Sequence, residues 1–155
     1  MIYLEDMVVG AVAEMGSYEV TREEVLEFAQ KYDPQPFHLS DEAAAATHFG
    51  RIAASGWHTA AMTMAVIVRH VTDRKQAGLG SPGIDTLRWL KPVYPGDTIS
   101  VSGRVIEVTP SRSKPDIGSV RGETTVTNQH GEPVMTYTSI VLMRRRPNES
   151  EAAPL

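Results

Sequence analysis

Cysteine is absent from the 155 residues, and neither sign of charge dominates the sequence. Without thiols the chain has no disulfide, no cysteine nucleophile and no zinc or iron–sulfur site built on thiolates, which is compatible with a reducing compartment. The 15 Lys and Arg residues against 19 Asp and Glu residues give a formal net charge of -4. A slightly acidic chain argues against a nucleic-acid partner, because neutralising phosphates dominates that affinity.

Long apolar runs and the residue pattern of a signal peptide are missing as well. The longest stretch without a charged residue, 52–68, is short for a bilayer span and contains serine, glycine, histidine and threonine. The chain begins with Glu5 and Asp6 where a signal peptide carries lysine or arginine. We therefore expect a cytoplasmic protein that does not contact a membrane.

The length favours a single domain. A chain of this size buries roughly two-thirds of the surface that its unfolded state exposes, which is enough for a core without disulfides or metals. We assign residues 1–146 to that domain and residues 147–155 to a flexible C-terminal tail.

The first helix is predicted by its capping signal. A weak strand over 10–20 is followed by Thr21 and Glu24 in the spacing of a capping box, in which each residue satisfies a backbone donor of the other. The helix is expected to end near Lys31, because the approach to Pro34 disfavours helical backbone.

Two further helices are expected. Ser40 is a typical N-cap for a short helix over 41–46. A long central helix is predicted over 56–73, where the apolar residues follow helical spacing. We expect its apolar face to pack against a sheet. That face consists of Ala60, Ala61, Met64, Ala65, Val68 and Val71.

The second half of the chain is rich in β-branched residues and turn signals, which predicts strands. Four strands are expected, over 83–90, 97–108, 118–128 and 133–144. Helices grouped early and strands late indicate an α+β protein with a helix packed on an antiparallel sheet.

A carboxylate and an imidazole lie five residues apart in the segment 32–38. The intervening Pro34 and Pro36 fix their own φ and restrict the residues before them, so the chain between acid and base is stiff. Such stiffness suits a preorganised acid–base pair made by Asp33 and His38. The alternative is that Asp33 caps a turn and His38 lies at the surface.

Gly56 stands at the start of the predicted long helix. The free N–H groups and the positive dipole end at such a position can stabilise a developing oxyanion. Proton carriers that face an oxyanion site suit reactions through the enolate of a thioester. The alternative is that Gly56 only permits close packing.

The run 33–38, Asp-Pro-Gln-Pro-Phe-His, resembles the Asp-x-Asn-Pro-Leu-His signature of the MaoC-like dehydratases, which include the (R)-specific enoyl-CoA hydratases of the hot-dog fold. The order of helices and strands around the motif also matches, so the resemblance extends over residues 7–145. Gln35 stands where the signature has asparagine, and Tyr32 where many members have a small residue.

The resemblance implies a single hot-dog domain, in which a curved antiparallel sheet wraps one long helix and two sheets join in a homodimer. It implies that water adds reversibly to a trans-2-enoyl-CoA to give an (R)-3-hydroxyacyl-CoA, within fatty acid metabolism. Asp33 and His38 correspond to the catalytic pair, and the Gly56 N–H corresponds to the oxyanion donor. Neither a metal nor a redox cofactor is implied.

Substrate contacts are expected from residues near these three positions. The expected contacts to the acyl thioester are Gln35, Phe37, Ser55 and Trp57. The basic loop with Arg112 and Lys114 is expected to meet the phosphates of coenzyme A, since both cation types suit phosphate oxygens. A solvated surface is the alternative for that loop. His58 either faces the mouth of the pocket or packs at the start of the helix.

No nucleotide cofactor is expected. Residues 78–83 spell G-x-G-x-x-G, but they follow a helix and lead into a strand, which is the wrong context for a dinucleotide site.

Two alternative functions stay open: an acyl-CoA thioesterase of the same fold and a non-catalytic acyl-CoA-binding subunit. The acyl chain length, its branching and a second carboxylate, as in a mesaconyl-type substrate, also stay open.

Overall fold

One sheet and four α-helices form the part of the chain that the structure, a computed structural model, describes, residues 1–148. The helices are α1 (Arg22–Tyr32), α2 (Pro36–Leu39), α3 (Asp41–Ala45) and α4 (Gly56–Asp73). The strands are β1 (Val12–Glu19), β2 (Gly83–Trp89), β3 (Thr98–Pro110), β4 (Ile117–Thr127) and β5 (Pro133–Arg144). Residues 149–155 of the predicted tail lie outside the described residues.

The strands pair antiparallel in the order β1-β3-β4-β5-β2, so β1 and β2 are the two edges of the sheet. Each predicted strand agrees with the observed one to within two residues at either end. The predicted α+β class, with a long helix on an antiparallel sheet, is confirmed.

Local capping explains where the helices begin. The Thr21 hydroxyl accepts the N–H of Glu24 at 3.3 Å, as predicted. The second half of the capping box is not formed, because the Glu24 carboxylate instead accepts the Tyr18 hydroxyl at 2.7 Å. Ser40 caps α3 as predicted. The short α2 was not predicted. It begins at Pro36, where a missing N–H costs nothing and the fixed φ suits a helix.

The long helix α4 packs on the sheet with a face that the sequence pattern did not predict. Its buried residues are His58, Thr59, Met62, Thr63 and Val66. Most of the face predicted to be buried is exposed instead, with Met64 and Val68 each 49% exposed, while Ala60 and Val71 are half-buried. The prediction of the helix is therefore right and that of its buried face wrong, because both sides of α4 are apolar enough to pack against protein.

The two ends of the sheet surround different parts of α4. We call one end of the sheet the site end. There β2 and β4 finish and β3 and β5 begin. Just before α4, at this end, Ala54 donates its N–H to Val93 O at 2.7 Å. At the opposite end, the far end, Arg144 at the end of β5 donates its N–H to Ala77 O at 2.9 Å just after α4. The helix therefore spans the sheet from one end to the other.

Within residues 1–148, no helix has both the length and the apolar character needed to cross a membrane.

Candidate active site

Asp33 and His38 meet at the site end. Asp33 is the C-cap of α1 and His38 lies in α2. The turn between them brings His38 Nε2 to 3.4 Å from Asp33 Oδ2. Inside this turn Gln35 donates its N–H to Asp33 O at 2.8 Å, and His38 donates its N–H to Gln35 O at 2.9 Å. His38 is only 5% exposed, so the alternative that placed its ring at the surface does not hold.

The imidazole of His38 is held through one nitrogen so that the other faces the carboxylate. His38 Nδ1 lies 2.8 Å from the carbonyl oxygen of Ala53. Because a carbonyl only accepts, this bond places a proton on Nδ1 and leaves a lone pair on Nε2 of the neutral ring. Phe37 packs edge-on against the imidazole, with ring centroids 4.6 Å apart. Nε2 is therefore oriented for proton transfer.

Each oxygen of the Asp33 carboxylate accepts one hydrogen bond. Gln35 Nε2 donates to Oδ1 at 2.7 Å, and Ser55 Oγ donates to Oδ2 at 2.7 Å. Burial raises the pKa of Asp33, but the bonds from Ser55 and Gln35, and the charge that His38 carries when protonated, together outweigh it, so that pKa lies below its ordinary value. Asp33 is thus held as a carboxylate with lone pairs left for another donor.

Ser55 ties Asp33 to the start of α4. Ser55 is fully buried and is the N-cap of α4, and its hydroxyl donates to the Asp33 carboxylate. The N–H groups of the first helical turn, starting with that of Gly56, have no partner inside the helix. The carboxylate and a set of free backbone donors are therefore fixed to each other by one hydrogen bond.

Gly56 is in close contact with an aromatic ring. A Cβ built on it would lie 2.5 Å from Trp89 Cε2, and its φ is outside the left-handed region. Space, not backbone conformation, therefore requires glycine here. The close-packing interpretation of Gly56 is correct, and it is compatible with an oxyanion role because packing covers the Cα and leaves the N–H.

Two of the expected substrate contacts lie beside this arrangement. Phe37 stacks on Phe49 with centroids 5.4 Å apart, forming an aromatic wall behind His38. Trp57 is 61% exposed and meets Trp89 edge to face, with centroids 5.0 Å apart. Gln35 and Ser55 are also expected to bind substrate, but their side chains donate hydrogen bonds to Asp33. Their contact with substrate stays a prediction.

Arg112 and Lys114 lie at the far end. Their loop joins β3 to β4 and is anchored by the Arg145 N–H, which donates to Asp116 O at 2.8 Å. The 18 residues of α4, about 27 Å of helix, separate this end from the Asp33 side. Within one chain, the structure does not bring the basic loop to the acid–base pair.

His58 packs at the start of α4, as one of the two interpretations predicts. Its ring stacks on Phe28, with centroids 4.8 Å apart and planes at 9°. Its buried Nδ1 has no hydrogen-bond partner within residues 1–148. Burial lowers the pKa of His58, against a smaller opposing effect of the Glu24 charge. The ring therefore favours its neutral form.

Three contributions to the site were not identified from the sequence: the Ala53 carbonyl, the bond between Ser55 and Asp33, and the contact of Trp89 with Gly56. Each joins residues from separate segments. Hydrophobic periodicity and capping signals report on neighbours along the chain, so they carry no sign of these contacts.

Comparisons with known proteins identify relatives of this chain. A family model described as a MaoC-like domain matches residues 8–129. A 3-hydroxybutyryl-CoA dehydratase from Methylorubrum extorquens is 34% identical over 116 residues, which cover 74% of this chain and 70% of that protein. The crystal structure of a MaoC-like dehydratase from Rhodospirillum rubrum has a TM-score of 0.87 at 40% identity, covering 96% of this chain and 100% of that one.

An (R)-hydratase from Pseudomonas aeruginosa, in its unliganded form, has a TM-score of 0.72 at 27% identity, covering 99% of this chain and 95% of that one. These likenesses over nearly the whole chain confirm the hot-dog fold that the sequence predicts.

Proposed function

This chain belongs to the MaoC-like domain family, and from that premise we propose that it is a hydro-lyase that adds water reversibly to a trans-2-enoyl-CoA, giving an (R)-3-hydroxyacyl-CoA. The observation that carries the proposal is the position of His38 Nε2, 3.4 Å from an Asp33 carboxylate that Ser55 ties to the start of α4. A base, an acid and oxyanion donors are the three requirements of this reaction, and we assign them to Asp33, His38 and the Gly56 N–H.

Asp33 and His38 bind the water molecule that is added and transfer its proton. A water molecule placed between Asp33 and His38 Nε2 donates to both, and its proton passes to one of them as its oxygen bonds to C3 of the enoyl group. The same proton equivalent then returns to C2, so that the elements of water are added and the site is regenerated. General acid–base catalysis of this kind contributes about 10² to 10⁴ in rate.

The thioester oxygen takes up negative charge while the C3–O bond forms. The Gly56 N–H at the start of α4 is the donor placed to stabilise that charge, aided by the positive end of the helix dipole. Because Ser55 joins Asp33 to this helix end, the site holds the proton-transfer groups and the oxyanion donor as one rigid unit.

We also propose a homodimer formed through β2 and the outward face of α4. β2 is an edge strand, and Trp89 at its end is 45% exposed beside Trp57, which continues into the exposed apolar face with Met64 and Val68. An unpaired edge next to a contiguous apolar patch is typical of an interface between subunits. A two-fold axis would pair the two β2 strands antiparallel.

That symmetry gives the basic loop a role. In an antiparallel pair of β2 strands, the far end of one subunit lies on the same side as the site end of its partner. We therefore assign Arg112 and Lys114 to the coenzyme A phosphates bound by the partner subunit's site. The protein is proposed to act in the cytoplasm on acyl-CoA of fatty acid metabolism.

The test follows the absorbance of the enoyl thioester on adding purified protein to crotonyl-CoA, longer 2-enoyl-CoAs and mesaconyl-CoA, with His38→Ala as the matched variant. Loss of the enoyl signal with wild type and not with the variant supports a hydratase, and chiral analysis of the product checks the (R) configuration. Release of free thiol in step with the loss of the enoyl signal indicates a thioesterase instead. Binding without either reaction indicates an acyl-CoA-binding subunit.

A further inference from the structure

Trp89 contacts the first residue of α4 in two ways. Its indole Nε1 donates a hydrogen bond to the Gly56 carbonyl at 2.9 Å. Its ring also covers the Gly56 Cα so closely that Nε1, Cε2 and Cδ2 would all lie within 2.8 Å of an added Cβ. A residue 33 positions away along the chain therefore fixes both the direction of the Gly56 carbonyl and the space around its Cα.

The anchoring of this ring is independent of the acid–base pair. Trp89 ends β2 and pairs with Met135 of β5, a residue that is fully buried in the core. The other tie on the start of α4 is the Ser55 bond to Asp33. The helix end is thus held from two sides, by Asp33 through Ser55 and by the sheet through Trp89.

We propose that Trp89 is a positioning residue for the Gly56 amide, holding the start of α4 in the orientation that the thioester oxyanion requires. The inference rests on the proposed function, because it assigns Trp89 to the oxyanion side of that same site. Trp89 touches neither the water nor the thioester in this role. It acts through the Gly56 carbonyl and Cα, which together fix the position of the first residue of α4, and its expected effect is on the transition state more than on binding.

The first test is Trp89→Phe, which keeps an aromatic ring and removes the N–H donor. We expect kcat for the best thioester of the panel to fall about tenfold, because small displacements of a preorganised donor are costly, while KM changes less than about threefold. The pH profile should keep its position, because Asp33 and His38 are untouched. A kcat within about twofold of wild type overturns the proposal.

Ile84→Ala is the matched control. Ile84 lies on the same edge strand, is 49% exposed, and belongs to the opposite end of β2 from Trp89. This variant removes apolar surface from the edge without altering the Gly56 contact. A similar fall in kcat for both variants would assign the effect to the edge strand in general and overturn the specific role of Trp89.

A second test uses Gly56→Ala alone and in a Trp89→Ala background, measured by thermal unfolding. The added methyl clashes with the indole, so it should lower Tm clearly in the wild-type background and much less once the indole is gone. Equal losses in both backgrounds would show that the ring does not constrain Gly56. This readout separates the two proposals, because it decides the Trp89 contact even if wild type hydrates no thioester and the proposed function fails.

Discussion

The Asp33–His38 pair and the ion pairs of the far end hold charged side chains in opposite ways. Asp33 and His38, at the site end, are mostly buried, and beyond each other their side chains bond to the neutral Ser55 hydroxyl, Gln35 amide and Ala53 carbonyl. At the far end, Arg145 pairs with Glu5 and Arg146 with Asp6, all on the exposed surface. Hydrogen bonds from buried, neutral groups orient a reactive pair and leave lone pairs on it free. Ion pairs on the surface contribute little to stability.

Of the substitutions that test this contrast, Asp33→Asn is expected to have the largest effect on activity. The substitution keeps the shape and removes the carboxylate that polarises water, so we expect kcat to fall about 10³-fold, within the range of general acid–base catalysis. The absorbance assay on the best enoyl thioester measures it. The fold should persist, as checked by circular dichroism. Activity within tenfold of wild type would remove Asp33 from the chemistry.

Charge on the outward face of α4 is expected to have the next largest effect. Val68→Asp places a carboxylate in the proposed subunit interface, where an unpaired buried charge is strongly disfavoured. We expect the homodimer to dissociate, as measured by analytical ultracentrifugation, together with a loss of most activity. Arg74→Asp, at the exposed C-cap of the same helix, is the control for the added charge. A dimer that withstands Val68→Asp contradicts this interface.

Ser55→Ala tests through the pH profile whether a neutral hydrogen bond controls the pKa of Asp33. The Ser55 bond is one of the causes that hold the pKa of Asp33 below its ordinary value, so its removal should raise that pKa. The acidic limb of kcat/KM should move to higher pH, with a loss of about tenfold in kcat from the poorer orientation. Rescue by Ser55→Thr, which restores a hydroxyl, is the matched control. An unmoved acidic limb would mean that Ser55 does not tune Asp33.

The same shift has a consequence for stability. Because the folded pKa of Asp33 is lowered, its contribution to the free energy of unfolding is present above the pKa of an unfolded aspartate, about 3.9, and is lost as the pH falls through the lower folded value. Thermal unfolding of wild type and Asp33→Asn should therefore converge toward acidic pH.

The smallest effect is expected from the far end. The double variant Arg112→Ala with Lys114→Ala should raise KM for acyl-CoA about fivefold and leave kcat nearly unchanged, since phosphate contacts contribute uniform binding. The control is Arg145→Ala, which breaks an exposed ion pair with Glu5 and should change the stability little. If KM is the same for wild type and the double variant, the loop is solvated surface.

The secondary structure was predictable because its signals are local. Thr21 caps α1 through a residue three positions away, and the strands from 83 to 144 are marked by β-branched residues between turn signals. The pair itself was also predictable, since Asp33 and His38 are joined by a short segment that two prolines stiffen. The short α2 was missed, because four residues are too few for a periodic pattern.

The buried face of α4 shows where local reasoning failed. Its apolar spacing is satisfied equally by the sheet and by a second subunit, so the spacing by itself does not assign Met64 and Val68 to either. Burial of Thr59 and Thr63 is possible because each hydroxyl donates to a backbone carbonyl one turn earlier. Polar residues of this kind do not mark an exposed face.

The sequence by itself determined the strands, the α-helices other than α2, the α+β class and the stiff link between Asp33 and His38, because each depends on residues a few positions apart. Only the tertiary structure decided which face of α4 meets the sheet, that Ser55 joins the carboxylate to the helix end, and that Trp89 covers Gly56. The last two contacts join residues 22 and 33 positions apart. Packing of the whole sheet brings them together, and no local propensity encodes that packing.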